Sequence, residues 1–384
     1  MEIDNRVRRS KRIQFGEMQH PRILLPEIWT QIFERGSWRD FRGLLRTSRW
    51  GYNLFYQNLR ECDLVGSERF LSQVAWQAKS NILRKLSLHD HHLRSKGFSV
   101  LDGFQLEELV LSDVDITDNS LAVISELLPD LRSLRLTVPR VTDEGIMYLT
   151  RLRQLRVLSL IGCRQLTEKS FPTIGRLTSL VELHLGASQN HLLQMDRGRG
   201  VEVQRSNRSN FIQKLGTSNF EQLSGLTRLI FFDTGPFVAM TPMMIDTIAG
   251  FSGLQCLKIY QGQLLDEESL QKIGSILSLT ELHLYKCKCA GNFSALTRLT
   301  SLRSLDLRAS LVDDQDLGAL VRMPSLIDLN ISNCPKITDR GLESLLATAL
   351  STQLSNVSAI ECKGISEENR AHWTIRNQKL SQAR

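Results

Sequence analysis

The sequence predicts an α/β solenoid, in which a curved parallel sheet lies inside a row of helices and a small helical module precedes it. Three observations support this prediction. The 384-residue chain contains 63 leucines, about twice ordinary usage, without a matching excess of valine, isoleucine or aromatic residues. The leucines recur in one short pattern at steps of 23 to 28 residues with one exception, and helix-start signals follow several copies.

The repeated pattern is Leu-x-x-Leu-x-Leu, in which positions four and six share one face of a short strand. One such strand cannot bury this face alone, whereas strands stacked at about 4.8 Å form a continuous leucine column. Copies begin at residues 59, 83, 106, 131, 155, 180, 226, 254, 279, 302, 326 and 354.

A helix is predicted to follow the strand in each copy. A capping residue stands before an apolar periodic run in Ile116-Thr117-Asp118, Val141-Thr142-Asp143, Leu166-Thr167-Glu168 and Ile337-Thr338-Asp339. Each repeat therefore runs out along a strand and returns along a helix.

Cysteines recur three residues after the third leucine position, at Cys163, Cys287, Cys334 and Cys362. The segment from Asn333 to Leu342, Asn-Cys-Pro-Lys-Ile-Thr-Asp-Arg-Gly-Leu, resembles the cysteine-containing subclass of leucine-rich repeats. We interpret the cysteines as small groups packed at a tight bend rather than as metal ligands.

The first sixty residues follow a different pattern, with an amphipathic helix predicted after Pro26 and a second helical run from Asp40 to Trp50. Two or three short helices over about 36 residues are too few to hold a core unaided. They need a partner surface, which is either the first repeat or another protein.

This stretch resembles an F-box, the module that joins substrate receptors to the adaptor subunit of SCF-type cullin–RING ubiquitin ligases. The matching elements are Leu25-Pro26, Glu27-Ile28, Ile32-Phe33, Asp40-Phe41, Leu44 and Ser48-Arg49-Trp50. Gly36 and Trp38 depart from the family pattern, and Trp50 comes one residue early. The resemblance implies that the adaptor is bound by Leu25, Pro26, Ile28, Ile32, Phe33, Leu44 and Trp50.

We divide the chain into a basic tail (1–22), the F-box-like module (23–60), the solenoid (61–366) and a C-terminal cap or tail (367–384). The one exceptional step, from 180 to 226, indicates a polar, basic insertion at about 188–214. A functional lid and a tolerated surface loop are both open interpretations of it.

The net charge of +7 is concentrated in the two termini and the insertion, so we expect no specific nucleic-acid partner. We expect no membrane partner either, because no apolar run approaches the ~18 residues that a spanning helix needs. Seven cysteines, an odd number, favour reduced thiols. The sequence thus suggests a protein of the cytoplasm or nucleus, or of a host cytosol if it is a bacterial effector.

A target-binding surface is predicted on the strand face opposite the leucine column. The pattern places Phe232, Tyr260 and Tyr285 at position seven of three successive copies, followed by Arg308 and flanked by Ile230, Lys258 and His283. Aromatic and arginine side chains are frequent anchors of protein interfaces, whereas a self-packed ladder is the structural alternative.

No catalytic residues, cofactor or metal are predicted. Weak candidates remain: His89-Asp90-His91-His92 and Cys287-Lys288-Cys289 for a metal, and Val7–Arg12 for nuclear import. The resemblance implies a substrate receptor that binds an unknown protein and the adaptor–cullin complex. The alternatives are a leucine-rich scaffold without a ligase and, with less support, a GTPase activator, whose repeats are longer.

Overall fold

A computed structural model describes residues 61–65, 83–89, 95–112, 114–137, 140–161, 163, 165–185, 218–235, 240–260, 262–288, 293–349 and 353–369. Strands in this part of the chain are β1 (Glu61–Val65), β2 (Lys85–His89), β3 (Glu108–Ser112), β4 (Ser133–Thr137), β5 (Val157–Leu160), β6 (Glu182–His184), β7 (Phe231–Asp233), β8 (Cys256–Ile259), β9 (Glu281–Leu284), β10 (Ser304–Asp306), β11 (Asp328–Asn330) and β12 (Asn356–Ser358). The α-helices are α1 (Asp118–Leu127), α2 (Asp143–Met147), α3 (Phe171–Gly175), α4 (Pro242–Ala249), α5 (Glu267–Ile273), α6 (Asp314–Leu320) and α7 (Asp339–Ala349). Several 3₁₀ segments occupy helix positions, at Ser95–Leu101, Tyr148–Arg151, Glu168–Ser170, Phe220–Gly225 and Phe293–Arg298.

The described strands form a single twelve-stranded parallel sheet whose spatial order is the order of the sequence. Each strand is paired with the strands of the neighbouring repeats, which is the connectivity of a solenoid. The predicted fold class, a leucine-rich-repeat solenoid with a parallel sheet and helices along one side, is confirmed.

The core is a continuous row of aliphatic side chains at the fourth and sixth pattern positions. Leu134, Leu158 and Leu183 are in register on adjacent strands and have no exposed surface. Enclosing each of these side chains contributes roughly 1.5 to 3 kcal/mol. Leucines, phenylalanines and methionines from the helices close the other side of the same core.

The seventh copy begins at Leu229 and not at Leu226, so the predicted alignment of that copy was wrong. The structure pairs Phe232 with Leu183 on one side and Leu257 on the other, which makes Phe232 the fourth position of its repeat. The alignment failed because Leu226 stands three residues before a leucine, whereas Leu229 stands three residues before Phe232. A shift of three residues, an odd number, moves each side chain of a strand to the opposite face.

The helix-start signals are confirmed, and they also join neighbouring repeats. The Thr142 hydroxyl accepts a hydrogen bond from the N–H of Glu144 at the start of α2. The same threonine donates its backbone N–H and its hydroxyl to the carboxylate of Asp118, at 2.9 and 2.7 Å, in the preceding repeat. Asp143 binds Thr167 in the same way.

This contact between repeats needs a glycine three residues after the threonine, Gly145 after Thr142 and Gly341 after Thr338. A Cβ atom on Gly145 would lie 2.2 Å from Oδ1 of Asp118, and one on Gly341 would lie 2.1 Å from Oδ1 of Asp314. Asp314 accepts the N–H and the hydroxyl of Thr338, so the pattern Thr-Asp-x-Gly describes one inter-repeat contact.

The recurring cysteines lie buried at the bend after the strand, as predicted for Cys287, Cys334 and Cys362, and Cys163 lies partly buried. The Cys334 and Cys362 thiols donate to the carbonyl oxygens of Leu307 and Ile331 in the preceding repeat, at 3.2 and 3.1 Å. Burial raises the pKa of Cys334 to about 12, so this thiol stays protonated and acts as a hydrogen-bond donor.

The tail (1–22), the F-box-like module (23–60), the insertion at about 188–214 and residues 370–384 lie outside the described residues. Their predicted boundaries remain predictions. Among the described helices, none is long and apolar enough to cross a membrane.

Candidate functional site

The candidate site lies on the open face of the sheet, which we define as the face carrying the third and fifth pattern positions. On β9 these positions are Glu281 and His283, whereas Leu282 and Leu284 point into the core. Lys258, His283 and Asp306 occupy the fifth position of β8, β9 and β10 and are in register. Parallel pairing therefore brings together charged side chains that are 23 to 25 residues apart in the sequence.

Five side chains across β8 to β10 form a continuous charged chain, which we call the charged row. Lys258 Nζ lies 2.8 Å from Glu281 Oε1, and His283 Nε2 lies 2.6 Å from the same oxygen. His283 Nδ1 lies 3.5 Å from Asp306 Oδ2, which in turn is 2.8 Å from Arg308 Nη2. Charges of opposite sign alternate along the row, so each carboxylate is held between two basic groups.

The contacts in the charged row shift the ionisation of its members. The hydrogen bond with His283 lowers the pKa of Glu281 to about 2, against the opposing effect of burial and with further help from Lys258. Burial lowers the pKa of His283, but its contacts with Asp306 and Glu281 outweigh this and raise it overall. The row therefore favours an imidazolium at His283.

The ring nitrogens of His283 face carboxylates on opposite sides of the imidazole. Such an arrangement stabilises a charged ring, whereas a chelated metal needs its ligands to converge on one point. Over the described ranges, no group of three or more His, Cys, Asp and Glu side chains could hold a metal ion.

Two tyrosines stand at the C-terminal ends of the strands beside the charged row. Tyr260 and Tyr285 follow β8 and β9 at equivalent positions, and both are half-buried. The guanidinium carbon of Arg308 lies 5.8 Å from the centre of the Tyr285 ring, and Lys286 Nζ lies 5.2 Å from it. Two cations therefore lie close to one aromatic ring.

The structure brings together five of the seven predicted target-binding residues: Lys258, Tyr260, His283, Tyr285 and Arg308. Ile230 lies just before β7 and is exposed. Phe232 is fully buried in the core, so its predicted place on the binding surface was wrong for the register reason given above.

Phe231, which sequence reasoning missed, is the aromatic side chain of this repeat on the open face. Its ring lies 4.6 Å from the ring of His184, and Lys258 Nζ lies 5.2 Å from its centre. The repeat spacing could have identified Phe231, because a copy that starts at Leu229 gives a regular 25-residue step to Leu254.

A second histidine between carboxylates lies three strands away. The sequence Glu-Leu-His-Leu occurs at residues 182–185 and again at 281–284. His184 Nε2 and Nδ1 each lie 3.8 Å from a carboxylate oxygen, of Glu182 and Asp233 respectively. Burial lowers the pKa of His184, and the two carboxylates raise it by more.

Lys286 is the other functional candidate that the sequence did not indicate. It has a backbone φ of +56° immediately after Tyr285, and its side chain is exposed. In the described part of the chain it makes no ion pair. Only the cation–aromatic contact with Tyr285 singles it out.

The predicted adaptor-binding residues lie outside the described residues, as do Val7–Arg12, residues 90–92 and Cys289. Their roles remain predictions.

No protein-family model matches the chain. An internalin from Listeria monocytogenes is 16% identical over 89% of this chain and 91% of its own, with a TM-score of 0.51. A leucine-rich-repeat protein from Leptospira interrogans is also 16% identical, over 88% and 91%, with a TM-score of 0.48. Yeast Rad7, solved in complex with Elc1, is 15% identical over 96% and 93%, with a TM-score of 0.38. At these identities the internalin comparison establishes the leucine-rich-repeat fold alone.

Proposed function

We propose that this protein is a non-catalytic substrate receptor of an SCF-type cullin–RING ubiquitin ligase. In this proposal the open face of the solenoid binds a target protein, and the F-box-like module docks on the adaptor subunit. The observation that carries the binding role is the group formed by Tyr260 and Tyr285 with Arg308, the last member of the charged row.

The composition of this group supports a protein ligand. Tyrosine and arginine are enriched among residues that dominate interface energies, because they combine a large contact area with a polar end. Asp306 holds the Arg308 guanidinium through contacts to both carboxylate oxygens, so little side-chain entropy is lost when a partner binds. The core does not require these side chains, since Leu257, Leu282 and Leu305 fill it.

The adaptor half of the proposal depends on the resemblance of residues 25–50 to an F-box. A helical segment this short needs a partner surface in order to fold stably. The receptor would contribute no chemistry of its own. It would hold the target near the ligase and so make ubiquitin transfer nearly intramolecular. Its expected place of action is the cytoplasm or the nucleus.

A pull-down with the full-length chain tests the adaptor contact. We expect the wild type to recover the SCF adaptor and a Leu25→Ala, Pro26→Ala double variant to lose it. A Tyr260→Ala, Tyr285→Ala double variant is the matched control, because it alters the open face and should retain the adaptor. Failure of the wild type to recover the adaptor would refute the ligase connection.

The second candidate function is a leucine-rich scaffold without a ligase, in which the N-terminal helices seal the end of the solenoid. The position of β1 favours this alternative, since Glu61 follows the module directly and the strand pairs with β2 at the sheet edge. If neither the wild type nor the variants recover the adaptor, while deletion of residues 1–60 lowers the melting temperature, this function replaces the first.

A further inference from the structure

Arg308 is oriented by Asp306 in a way that leaves part of its guanidinium available. Its Nε lies 3.0 and 2.9 Å from the two carboxylate oxygens of Asp306, and Nη2 lies 2.8 Å from Oδ2. A guanidinium has five N–H donors in a fixed fork, so this contact leaves the Nη1 amine to bind elsewhere. In the described structure Nη1 donates to no other residue.

Lys286 adds a second cation beside the same ring. The backbone N–H of Lys286 donates to the carbonyl oxygen of Arg308 at 3.0 Å, which fixes the two residues side by side at the ends of neighbouring strands. Both cations approach the ring of Tyr285. Lys286 Nζ and the Arg308 guanidinium carbon lie 5.2 and 5.8 Å from the centre of that ring, so an anion next to the ring would be attracted by both cations.

The charge balance around Tyr285 indicates which anion fits. Glu281 neutralises Lys258, and Asp306 neutralises Arg308. Of the two cations beside the Tyr285 ring, Lys286 is therefore the one without a carboxylate partner in the described structure. A carboxylate carries one negative charge, whereas a phosphate group carries nearly two at pH 7 and would be repelled more strongly by Asp306. Tyr260 and Tyr285 add apolar surface next to this position.

We propose that Lys286, Arg308 and Tyr285 bind an acidic segment of a polypeptide, with one aspartate or glutamate side chain received between the two cations. Apolar residues beside that carboxylate would pack on Tyr260 and Tyr285. This inference rests on the proposed function only in taking the open face as the target site. It adds Lys286 to the site, and it names the chemistry of the target.

Selection from a random peptide library displayed on phage tests the inference without a known target. The full-length wild type should enrich peptides that contain aspartate or glutamate next to apolar residues. Lys286→Gln should lose most of this enrichment. The matched control is Arg322→Gln, which removes the same charge from an exposed position after α6, away from the open face.

A selected peptide then gives a direct measurement. Lys286→Gln should raise its dissociation constant about tenfold, as expected for loss of one charge-assisted contact. Replacing the peptide carboxylate by an amide should weaken binding to the wild type by about the same factor. It should weaken binding to Lys286→Gln little further, because both changes remove the same contact. The melting temperature of Lys286→Gln should equal that of the wild type.

Three results would overturn the inference. The first is selection of peptides without acidic residues. The second is that both variants, Lys286→Gln and Arg308→Gln, still enrich acidic peptides as the wild type does. The third is a phosphoserine version of the peptide that binds at least tenfold tighter, which would assign the site to a phosphate. Adaptor recovery by the same variants is scored separately, so a failed carboxylate site and a failed ligase connection give different results.

Discussion

The two faces of β9 carry side chains of opposite kinds, although they belong to the same four residues. Leu282 and Leu284 are fully buried; Leu282 is paired with Leu257 and Leu305 on the two neighbouring strands, and Leu284 is paired with Ile259 on β8. Glu281 and His283, between and beside them, bind charged groups from β8 and β10. The buried face repeats one residue type to hold the coils together, whereas the open face varies from strand to strand and is therefore free to encode a binding preference.

The largest expected difference between the faces comes from truncating one side chain on each. Leu257→Ala should lower the free energy of unfolding by about 2 to 5 kcal/mol, because it leaves a cavity in a closed core. Tyr285→Ala should change stability far less and should weaken a bound partner by about 2 kcal/mol. Chemical denaturation and a binding titration measure the two effects. Equal destabilisation by both variants would mean that the tyrosine is structural.

The second prediction concerns the contact between neighbouring repeats at the helix start, where Thr-Asp-x-Gly occurs at residues 142–145 and 338–341. Gly341→Ala should destabilise the protein by about 1 to 3 kcal/mol, since the added methyl group overlaps the Asp314 carboxylate. The control is Gly318→Ala in α6, where a Cβ meets no atom within 4 Å and should stabilise the helix by up to about 1 kcal/mol. Thermal melting of both variants provides the test. A Gly341→Ala protein as stable as the wild type contradicts the steric account.

The third prediction uses pH to separate the faces, because the leucines of the buried face carry no titratable group. The pKa of His283 is higher in the folded chain than its ordinary value of about 6.5, so protonation stabilises the fold. The stabilisation by protonated His283 is fully present below about pH 6.5, and it is lost as the pH rises through the pKa of His283 in the folded protein. The free energy of unfolding should therefore decline over this range, and His283→Asn should flatten the decline.

His184 is the internal control for that experiment. It has the same local sequence and a raised pKa, but its carboxylate contacts are longer, at 3.8 Å. His184→Asn should therefore remove a smaller part of the pH dependence than His283→Asn does. A larger effect of His184→Asn would show that the burial of the histidine, and not its distance to the carboxylates, decides how strongly its protonation affects stability.

The smallest effect is expected at the turn that follows the strands. Lys286, Ala309, Asn333 and Glu361 occupy equivalent positions with φ between +56° and +60°. Ala309→Gly should stabilise the protein by up to about 1 kcal/mol, because glycine adopts this conformation without strain. Asn333→Gly should stabilise the protein less, because asparagine already tolerates a positive φ. Denaturant midpoints of the two variants can be compared directly.

Most of the fold could be predicted from the sequence because the repeat supplies the same information many times. The leucine positions, the Thr-Asp helix starts and the buried cysteines each recur, so a local error is corrected by the next copy. The register of the copy at Leu229 could not be predicted from the leucine pattern alone, because that pattern favours a start at Leu226, while a start at Leu229 places Phe232 and Thr234 at the leucine positions.

The site was predicted less completely for a physical reason. The position in the repeat was enough to predict Tyr260, Tyr285 and Arg308. The contacts of the charged row could not be predicted in this way, because they depend on which side chains reach those of the neighbouring strand. Phe231 was missed with the register. Lys286 was missed because it lies in a turn, where the period of the strand no longer fixes the direction of a side chain.

The contact of Asp118 with Thr142 locates the joint between two coils at the start of a helix and not at the end of a strand. A natural module of this protein accordingly runs from threonine to threonine. Excision of residues 117–141 would place Ile116 directly before Thr142 and remove one whole coil without splitting any other. The arc could thus be shortened, or lengthened by duplication, in units of a single turn, which offers a route by which the spacing of its binding groups is retuned.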